Sequence, residues 1–374
     1  MIDKDTLLEK LEALRGEPIQ EFVRKEEEWN DYTEYVDATR ICKKPLVSCC
    51  VFTYNQEKYI RECLDSIVAQ KADFEYEVLV CEDCSTDGTL AICREFQTRY
   101  PEKVRIIHAN HNYYRGALNF RRGYELARGE YIAICEGDDY WCNDKKIQLE
   151  YNAAKEKNAV AVFTDNKTLK GDQLSPKGVF EGQNLYDRIA HFTREDFIAE
   201  RFGCERDNAL NFATATTFIQ KNILLKIKDS SFGRKRIRLG DLQIRAGVAR
   251  FGMVEFLPIV SAVYRTGVGV SSAFSSGTSI GFVVDSLMCH IAMKWDIMTM
   301  QEQVRLLRWG VTGLLLHTNA IPEVRKQIRK LSLSLLPDLP IAFFPRLFVL
   351  YILNYIPNGC VFWRRLSQMK TWVR

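Results

Sequence analysis

From Pro45 onward, short apolar runs alternate with amphipathic segments. "LVSCCVFTYN" is a continuous apolar strand ending in polar residues, and "QEKYIRECLDSIVAQ" puts Ile60, Leu64, Ile67 and Val68 on one helical face. The same unit then repeats. Strand "YEVLVCEDCSTDGT" leads to helix "LAICREFQTRY", strand "KVRIIHAN" to helix "NFRRGYELARG", which is expected to end at Gly129, and "EYIAICEGDD" is a fourth strand. Apolar strands alternating with helices predict an α/β fold, a mainly parallel sheet covered on both faces.

The pattern is less regular on either side. Residues 1–44 are polar and charged, with Leu7, Leu8, Leu11 and Leu14 at helical spacing, which predicts a helical N-terminal extension outside the main domain. Beyond residue 150, "AVAVFTDNK" and the threonine-rich "NFATATTFIQKNIL" read as strands, and "REDFIAERFG" reads as a helix. "RLGDLQIRAGVARFG" is a polar turn entering a helix, with Leu242, Ala246 and Ala249 on one face. "MVEFLPIVSAVYRTGVGVSS" holds a strand and a glycine- and serine-rich tail, a flexible loop candidate. This divides the chain into an extension (1–44), a main domain (45–272, halves 45–165 and 166–272) and a helical C-terminal region (273–374).

With 374 residues, 47% of them hydrophobic, the chain is long enough for a large core and a smaller one. Its net charge of +4 is mixed in sign along most of its length, and no zinc-finger spacing or arginine-rich arm suggests nucleic acid as a partner. The N-terminus lacks the apolar region of a secretory signal, so a cytoplasmic location is expected. Of 12 cysteines, Cys49, Cys50, Cys81 and Cys135 sit in apolar runs and read as small buried hydrophobes that stay thiols. Cys81 and Cys84 have C-x-x-C spacing, but no second pair follows at zinc-ribbon distance.

The C-terminus changes character. Beyond Ile321 there are nine Lys or Arg against two acids, and the apolar stretch Leu347–Ile356 falls short of the roughly 20 residues that span a bilayer. A basic, aromatic-rich end suits peripheral contact with an anionic membrane on its inner face, or packing in a homodimer.

In α/β sheets, ligands bind outside the carboxyl ends of the strands. Three polar clusters fall at such ends: "TYN", "EDCSTD" and "EGDDYW". Carboxylates as close as Glu136, Asp138 and Asp139 repel each other and lose solvation beside a core, so a partner for that charge is expected. The bland alternative is a solvated turn. A hard divalent cation, Mg²⁺ or Mn²⁺, held by one or two carboxylates completes its shell with water and phosphate oxygens, which points to a nucleoside diphosphate. Asp83 suits a hydrogen bond from a base N–H, with an Asx-turn as its alternative, while Asp87 before Gly88 suits the turn itself. Tyr54 and Asn55 are placed to frame the base and ribose. No G-x-x-x-x-G-K-[ST] and no G-x-G-x-x-G after the first strand is present, which argues against a P-loop enzyme and a dinucleotide oxidoreductase.

"VSCCVFTYNQEKYIRECLDSIVAQ", "EVLVCEDCSTDGT" and "ARGEYIAICEGDDYW" resemble, in order and spacing, the successive motifs of glycosyltransferase family 2, which has the GT-A fold. "FGCERDNALNFATATTFIQKNIL" and "GDLQIRAGVARFGMVEFLPIVSAVYRTGVGVSS" resemble more weakly the acceptor half of bacterial members that build capsule or O-antigen sugars. The resemblance implies transfer of a sugar, with inversion, from a nucleotide sugar (a UDP-sugar by family weight) to a hydroxyl of a glycan or lipid-linked glycan. It implies nucleobase contact at Asp83, with Phe52, Tyr54, Asn55, Glu57 and Asp138 also on the nucleotide, and metal at Glu136, Asp138 and Asp139. The family's D-x-D stands here as "EGD". Its "ARN" tripeptide stands as "NFR", leaving Arg115, Arg121 and Arg122 to supply that contact. The general base falls at Asp241 of "GD", where a helix N-cap is the alternative. Tyr264, Arg265 and Trp141 are expected on the acceptor or diphosphate. Two other classes share such a sheet: a nucleotidyltransferase, disfavoured because "FTYNQEKY" has no glycine, and a non-catalytic scaffold, which loss of the carboxylates would mark.

Overall fold

The computed structural model describes residues 3–15, 23–113, 116–182, 212–230, 233–234, 240–248, 250–268, 280–315, 322–334 and 350–351. The repeated strand–helix units form the centre: β2 (Val47–Thr53), α3 (Ile60–Val68), β3 (Tyr76–Glu82), α4 (Thr89–Arg99), β4 (Val104–Ala109), α5 (Ala117–Leu126) and β5 (Tyr131–Glu136). β4, β3, β2 and β5 lie side by side and parallel. β2 thus has its successor β3 on one flank and the later β5 on the other. That reversal of strand order is the switch point at which α/β sheets take ligands beyond the carboxyl ends of their strands.

The strands are buried throughout because both faces are covered. Cys49 and Val51 of β2 pack with Val78 and Val80 against Ile60, Leu64 and Ile67 of α3 and Phe96 of α4. The alternate residues Cys50, Phe52, Leu79 and Cys81 face the other way, towards Tyr124 of α5 and the helix Lys221–Asp229. That period of two is what a strand buried on both faces requires. α5 stops at Leu126, three residues before the expected Gly129. The chain must turn there to enter β5: Gly129 donates its N–H to Ser48 Oγ at 2.8 Å, and a Cβ on it would lie 2.5 Å from the Ser48 nitrogen.

Gly123, in the middle of α5, lets that helix close on the sheet. A Cβ there would lie 2.6 Å from Cys81 Sγ and 2.7 Å from Phe52 Cε1. Gly123→Ala is therefore expected to lower stability by about 1–3 kcal/mol through overpacking. Denaturant unfolding checks this, as a midpoint shift at unchanged slope; an unchanged midpoint would show that the two side chains give way freely.

Beyond this parallel block the sheet is mixed. β9 (Thr217–Gln220) runs antiparallel to β5, followed by β7 (Ala159–Lys170), β10 (Met253–Thr266) and β6 (Tyr140–Trp141), with β8 (Gln173–Leu174) on β7. "NFATATTFIQKNIL" is not one strand: Thr214–Thr216 form a 3-10 turn, β9 is four residues long, and Lys221 opens a helix.

The N-terminal segment is not purely helical and does not lie outside. α1 (Lys4–Arg15) buries Leu7, Leu11 and Leu14 in the main core, and a short α2 (Glu26–Trp29) leads into β1 (Tyr32–Tyr35), antiparallel to β4. Glu34 of β1 takes Arg105 Nη1 at 2.9 Å, while Arg105 Nε holds the buried Glu77 at 2.8 Å. Periodicity could not reveal this strand, since its facing residues are polar.

The helices Ile280–Lys294, Met300–Leu315 and Pro322–Ser334 follow β10. Among the described residues no helix is long and apolar enough to cross a membrane. "REDFIAERFG", Ala249, Arg115, the tail 269–279 and most of 340–374 lie outside the described residues.

Candidate active site

The loops after β2 and β3 are laced into one wall. Asn55 adopts a left-handed backbone (φ 51°), its N–H donates to Ser85 Oγ at 2.9 Å, and its Oδ1 accepts the Thr86 N–H at 2.8 Å. Glu57 Oε2 accepts the Gly88 N–H at 2.6 Å. Asp87 takes both the N–H and the hydroxyl of Thr89, which is the turn role its sequence context suggests. Asn55 and Glu57 thus build the wall, and Tyr54, 44% exposed, stands out from it. Phe52 differs from expectation. Its ring is in the core, stacked on Phe120 at 4.1 Å, and only its carbonyl reaches the site, accepting the Gly137 N–H at 2.8 Å.

Asp83 is buried at the end of β3, and its Oδ2 accepts Asn112 Nδ2 at 2.7 Å. Burial pushes its carboxyl up to about 7, the charge of Glu82 adds to the rise, and Arg122 opposes it.

The acidic loop after β5 is folded on itself, the Asp139 N–H bonding to the Glu136 carbonyl at 2.9 Å. Burial pushes the carboxyls of Glu136, Asp138 and Asp139 upward, and the neighbouring carboxylates raise Glu136 and Asp139 further. Asp139 Oδ1 accepts the Arg265 N–H at 2.8 Å, and its buried Oδ2 has no hydrogen-bond partner among the described residues. Thr214 hydrogen-bonds Glu136 and Gln56 hydrogen-bonds Asp138.

Arg265 is the cation nearest this loop, but its guanidinium is already engaged. It donates to the Asp138 carbonyl at 2.5 Å and to Glu62, with the rings of Tyr59 and Tyr140 each 5.0 Å away. It ties β10 and α3 to the loop, so it is a strut here and not a free ligand for a diphosphate. Trp141 is likewise structural: its ring is buried in the core with the Lys146 ammonium 4.7 Å from its centroid. Tyr264, half-buried, stands opposite Thr168 of β7.

Asp241 lies in the first turn of the helix Gly240–Val248. Its Oδ2 accepts Arg245 Nη2 at 2.7 Å, one turn on, and Arg245 Nη1 is fixed on the Phe212 carbonyl at 3.0 Å. Lys228, brought down to about 8 by burial, holds the Gly240 carbonyl and Gln243 Oε1, each at 3.0 Å. The Asp241 charge reaches Glu136, which it helps to push up. A residue about a hundred positions away in the chain is thus within electrostatic reach of the acidic loop.

Arg121 pairs with Glu125 and Asp229, and Arg122 points into the N-terminal segment, so neither faces the acidic loop. Asn112, Gln56, Thr214 and Arg245 were not foreseen. Asn112 follows a third strand end and was open to the same rule as Asp83; Arg245 is visible as the i+4 partner of Asp241. The other two carry no sequence signal.

Among the described residues no group of three or more His, Cys, Asp or Glu is gathered as a metal cage, and Cys81 and Cys84 are free thiols. A Mg²⁺ or Mn²⁺ site that relies on one or two carboxylates and on phosphate oxygens needs no such cage. The unpartnered Asp139 oxygen and the raised carboxyls beside it fit one.

A buried parallel block with carboxylates at its strand ends is an α/β arrangement whose ligands bind at those ends. Residues 48–226, just under half of the chain, match glycosyl transferase family 2. An uncharacterized protein of Mycobacterium tuberculosis is 46% identical over 101 residues, 26% of this chain and 29% of that protein. The dTDP-rhamnosyl transferase RfbG of Shigella flexneri is 32% identical over 158 residues, 40% of this chain and 50% of that protein. The matches thus span half or less of those relatives' own lengths. A mannosyltransferase from Pyrobaculum calidifontis, solved with GDP-Man and Mn²⁺, is 14% identical over 95% of this chain and 94% of its own, with a TM-score of 0.48.

Proposed function

We propose that the protein is an inverting glycosyltransferase that moves a sugar from a nucleoside diphosphate sugar, UDP-linked, to a hydroxyl of a glycan or lipid-linked glycan in surface polysaccharide synthesis. The observation that carries this reading is the placement of Asp83 and the acidic loop at the ends of β3 and β5, with Asp241 within electrostatic reach of Glu136 and a buried Asp139 oxygen that has no hydrogen-bond partner among the described residues. The family of residues 48–226 and the rhamnosyl transferase relative support it.

In this reading Asp83 accepts a hydrogen bond from the nucleobase against the wall built by Asn55 and Glu57. Asp138, with Glu136 or Asp139, would hold Mn²⁺ or Mg²⁺, which would neutralise charge on the diphosphate. The acceptor oxygen bonds to the anomeric carbon as the bond from that carbon to the diphosphate oxygen breaks on the opposite face. The hydroxyl proton passes to Asp241, whose Oδ2 is held by Arg245 so that the other oxygen is left to take it. Arg265 keeps the loop in shape through this step.

Calorimetric titration with UDP, with and without Mn²⁺, tests the reading. Wild type is expected to bind in a Mn²⁺-dependent way, and Asp138→Ala to lose most of that affinity. Metal-independent binding that survives the substitution would detach the acidic loop from the nucleotide. Absence of binding to UDP and GDP alike would favour a scaffold of the same fold.

A further inference from the structure

The N-terminal segment does more than extend the sheet. Asp31 grips the loop after β4 on both sides of Asn112. Its Oδ1 accepts Asn110 Nδ2 at 2.9 Å, and its Oδ2 meets His111 Nδ1 at 2.5 Å and the Tyr113 hydroxyl at 2.8 Å. These hydrogen bonds draw the Asp31 carboxyl down to about 2. Asn112, between the gripped residues, donates to Asp83 Oδ2 at 2.7 Å and to the Asp83 carbonyl at 3.3 Å.

Behind this loop, Arg122 of α5 is fully buried. Its Nε donates to the Trp29 carbonyl at 3.0 Å, and its Nη2 to the carbonyls of Asp31, at 3.2 Å, and Glu28. Its Nη1 has no hydrogen-bond partner among the described residues. The charged neighbours acting on Asp83 are Glu82 at the end of β3, which meets His108 Nδ1 at 2.5 Å, and Arg122 on α5; the Cys84 thiol follows Asp83 in the loop after β3, and Asn112, from the loop after β4, is neutral with His111 beside it. Gly116 approaches the same oxygen, where a Cβ would meet Asp83 Oδ2 at 3.4 Å.

We propose that the segment around Asp31 is a positioning element for nucleobase recognition, in which Asp31 and Arg122 hold Asn112 and its loop against Asp83 and thereby set the affinity for a nucleoside diphosphate. This rests on the reading that Asp83 meets the base. Asn112 fixes one carboxylate oxygen and leaves the other for a ring N–H. Arg122 favours the ionised form, which accepts a hydrogen bond from a base; a neutral carboxyl would offer a proton in its place. A wall fixed before the ligand arrives spares the ordering cost of binding. Asp31 and Arg122 themselves do not touch the nucleotide.

The test is UDP titration of the full chain in Mn²⁺, with Asp83→Ala, Asp31→Ala and Arg122→Met, at several pH values between 6 and 8. Asp31→Ala is expected to fold, since it alters a partly exposed carboxylate, and to weaken UDP about tenfold. Arg122→Met is expected to move the pH midpoint of UDP affinity upward, because the cation that opposes the rise in Asp83 is gone; a purely structural loss would lower affinity equally at every pH. If Asp83→Ala loses UDP while Asp31→Ala binds as wild type, the positioning role is overturned and the base contact stands. If Asp83→Ala binds as wild type, both fall. Should Arg122→Met fail to fold, the Asp31→Ala affinity alone decides.

Discussion

Asp241→Asn is expected to lower sugar transfer by about 10²–10⁴-fold while UDP affinity in Mn²⁺ stays within about twofold. Asparagine keeps the shape of the side chain and an oxygen for Arg245 Nη2, so the start of the helix Gly240–Val248 should be preserved. What it lacks is a carboxylate to take the acceptor proton. The measurement is UDP release from a donor sugar in the presence of acceptor, with calorimetry on the same preparation. A rate within about threefold of wild type would leave Asp241 as a helix-start residue and move the base elsewhere. Loss of UDP binding together with turnover would place Asp241 on the donor side.

The second large effect lies in the core. Lys146 and Glu150 form an ion pair 2.6 Å long, one turn apart on α6 (Lys146–Lys157), with neither side chain exposed. Lys146→Met removes the partner and leaves Glu150 buried, at a cost of about 3–5 kcal/mol at pH 8. Burial already pushes the Glu150 carboxyl up to about 7. A carboxyl raised in the folded state binds protons there that the unfolded chain has released. The pair's contribution to stability therefore falls as pH rises from the usual carboxylate range through about 7. The substitution should accordingly cost less at pH 5, where a lone Glu150 is neutral, than at pH 8. Lys146→Met with Glu150→Leu should recover most of the loss. Denaturant midpoints at both pH values decide it; equal costs at pH 5 and 8 would mean that Glu150 finds water or another cation.

The parts of the fold legible in the chain are those whose signal is local. β2, β3, β4 and β5 are apolar throughout because both faces of the central sheet are covered, and that pattern is readable one residue at a time. β1 was not legible, because "YTEY" owes its strand to Glu34 meeting Arg105 and to the free edge of β4. β9 was misjudged in length because the threonines before it close a tight turn under Glu136.

The candidate site divides in the same way. Strand ends announce Asp83 and the acidic loop. Side-chain direction is not announced, and it sends Phe52 and Trp141 into the core. Arg265 is adjacent to the acidic loop only through the pairing of β10, and its engagement with Glu62 depends on a helix some two hundred residues earlier in the chain.

The pairing of β1 with β4 has a consequence for where this domain begins. The family-matching segment starts at residue 48, after β1. A chain trimmed to that start would bare the outer edge of β4, with its backbone groups open to a strand from another molecule. It would also strip Arg122 of the three carbonyls it holds while leaving its charge buried. A chain trimmed to residue 48 is therefore expected to self-associate, and a fragment that keeps both the β4 edge and Arg122 covered has to begin upstream of Glu28.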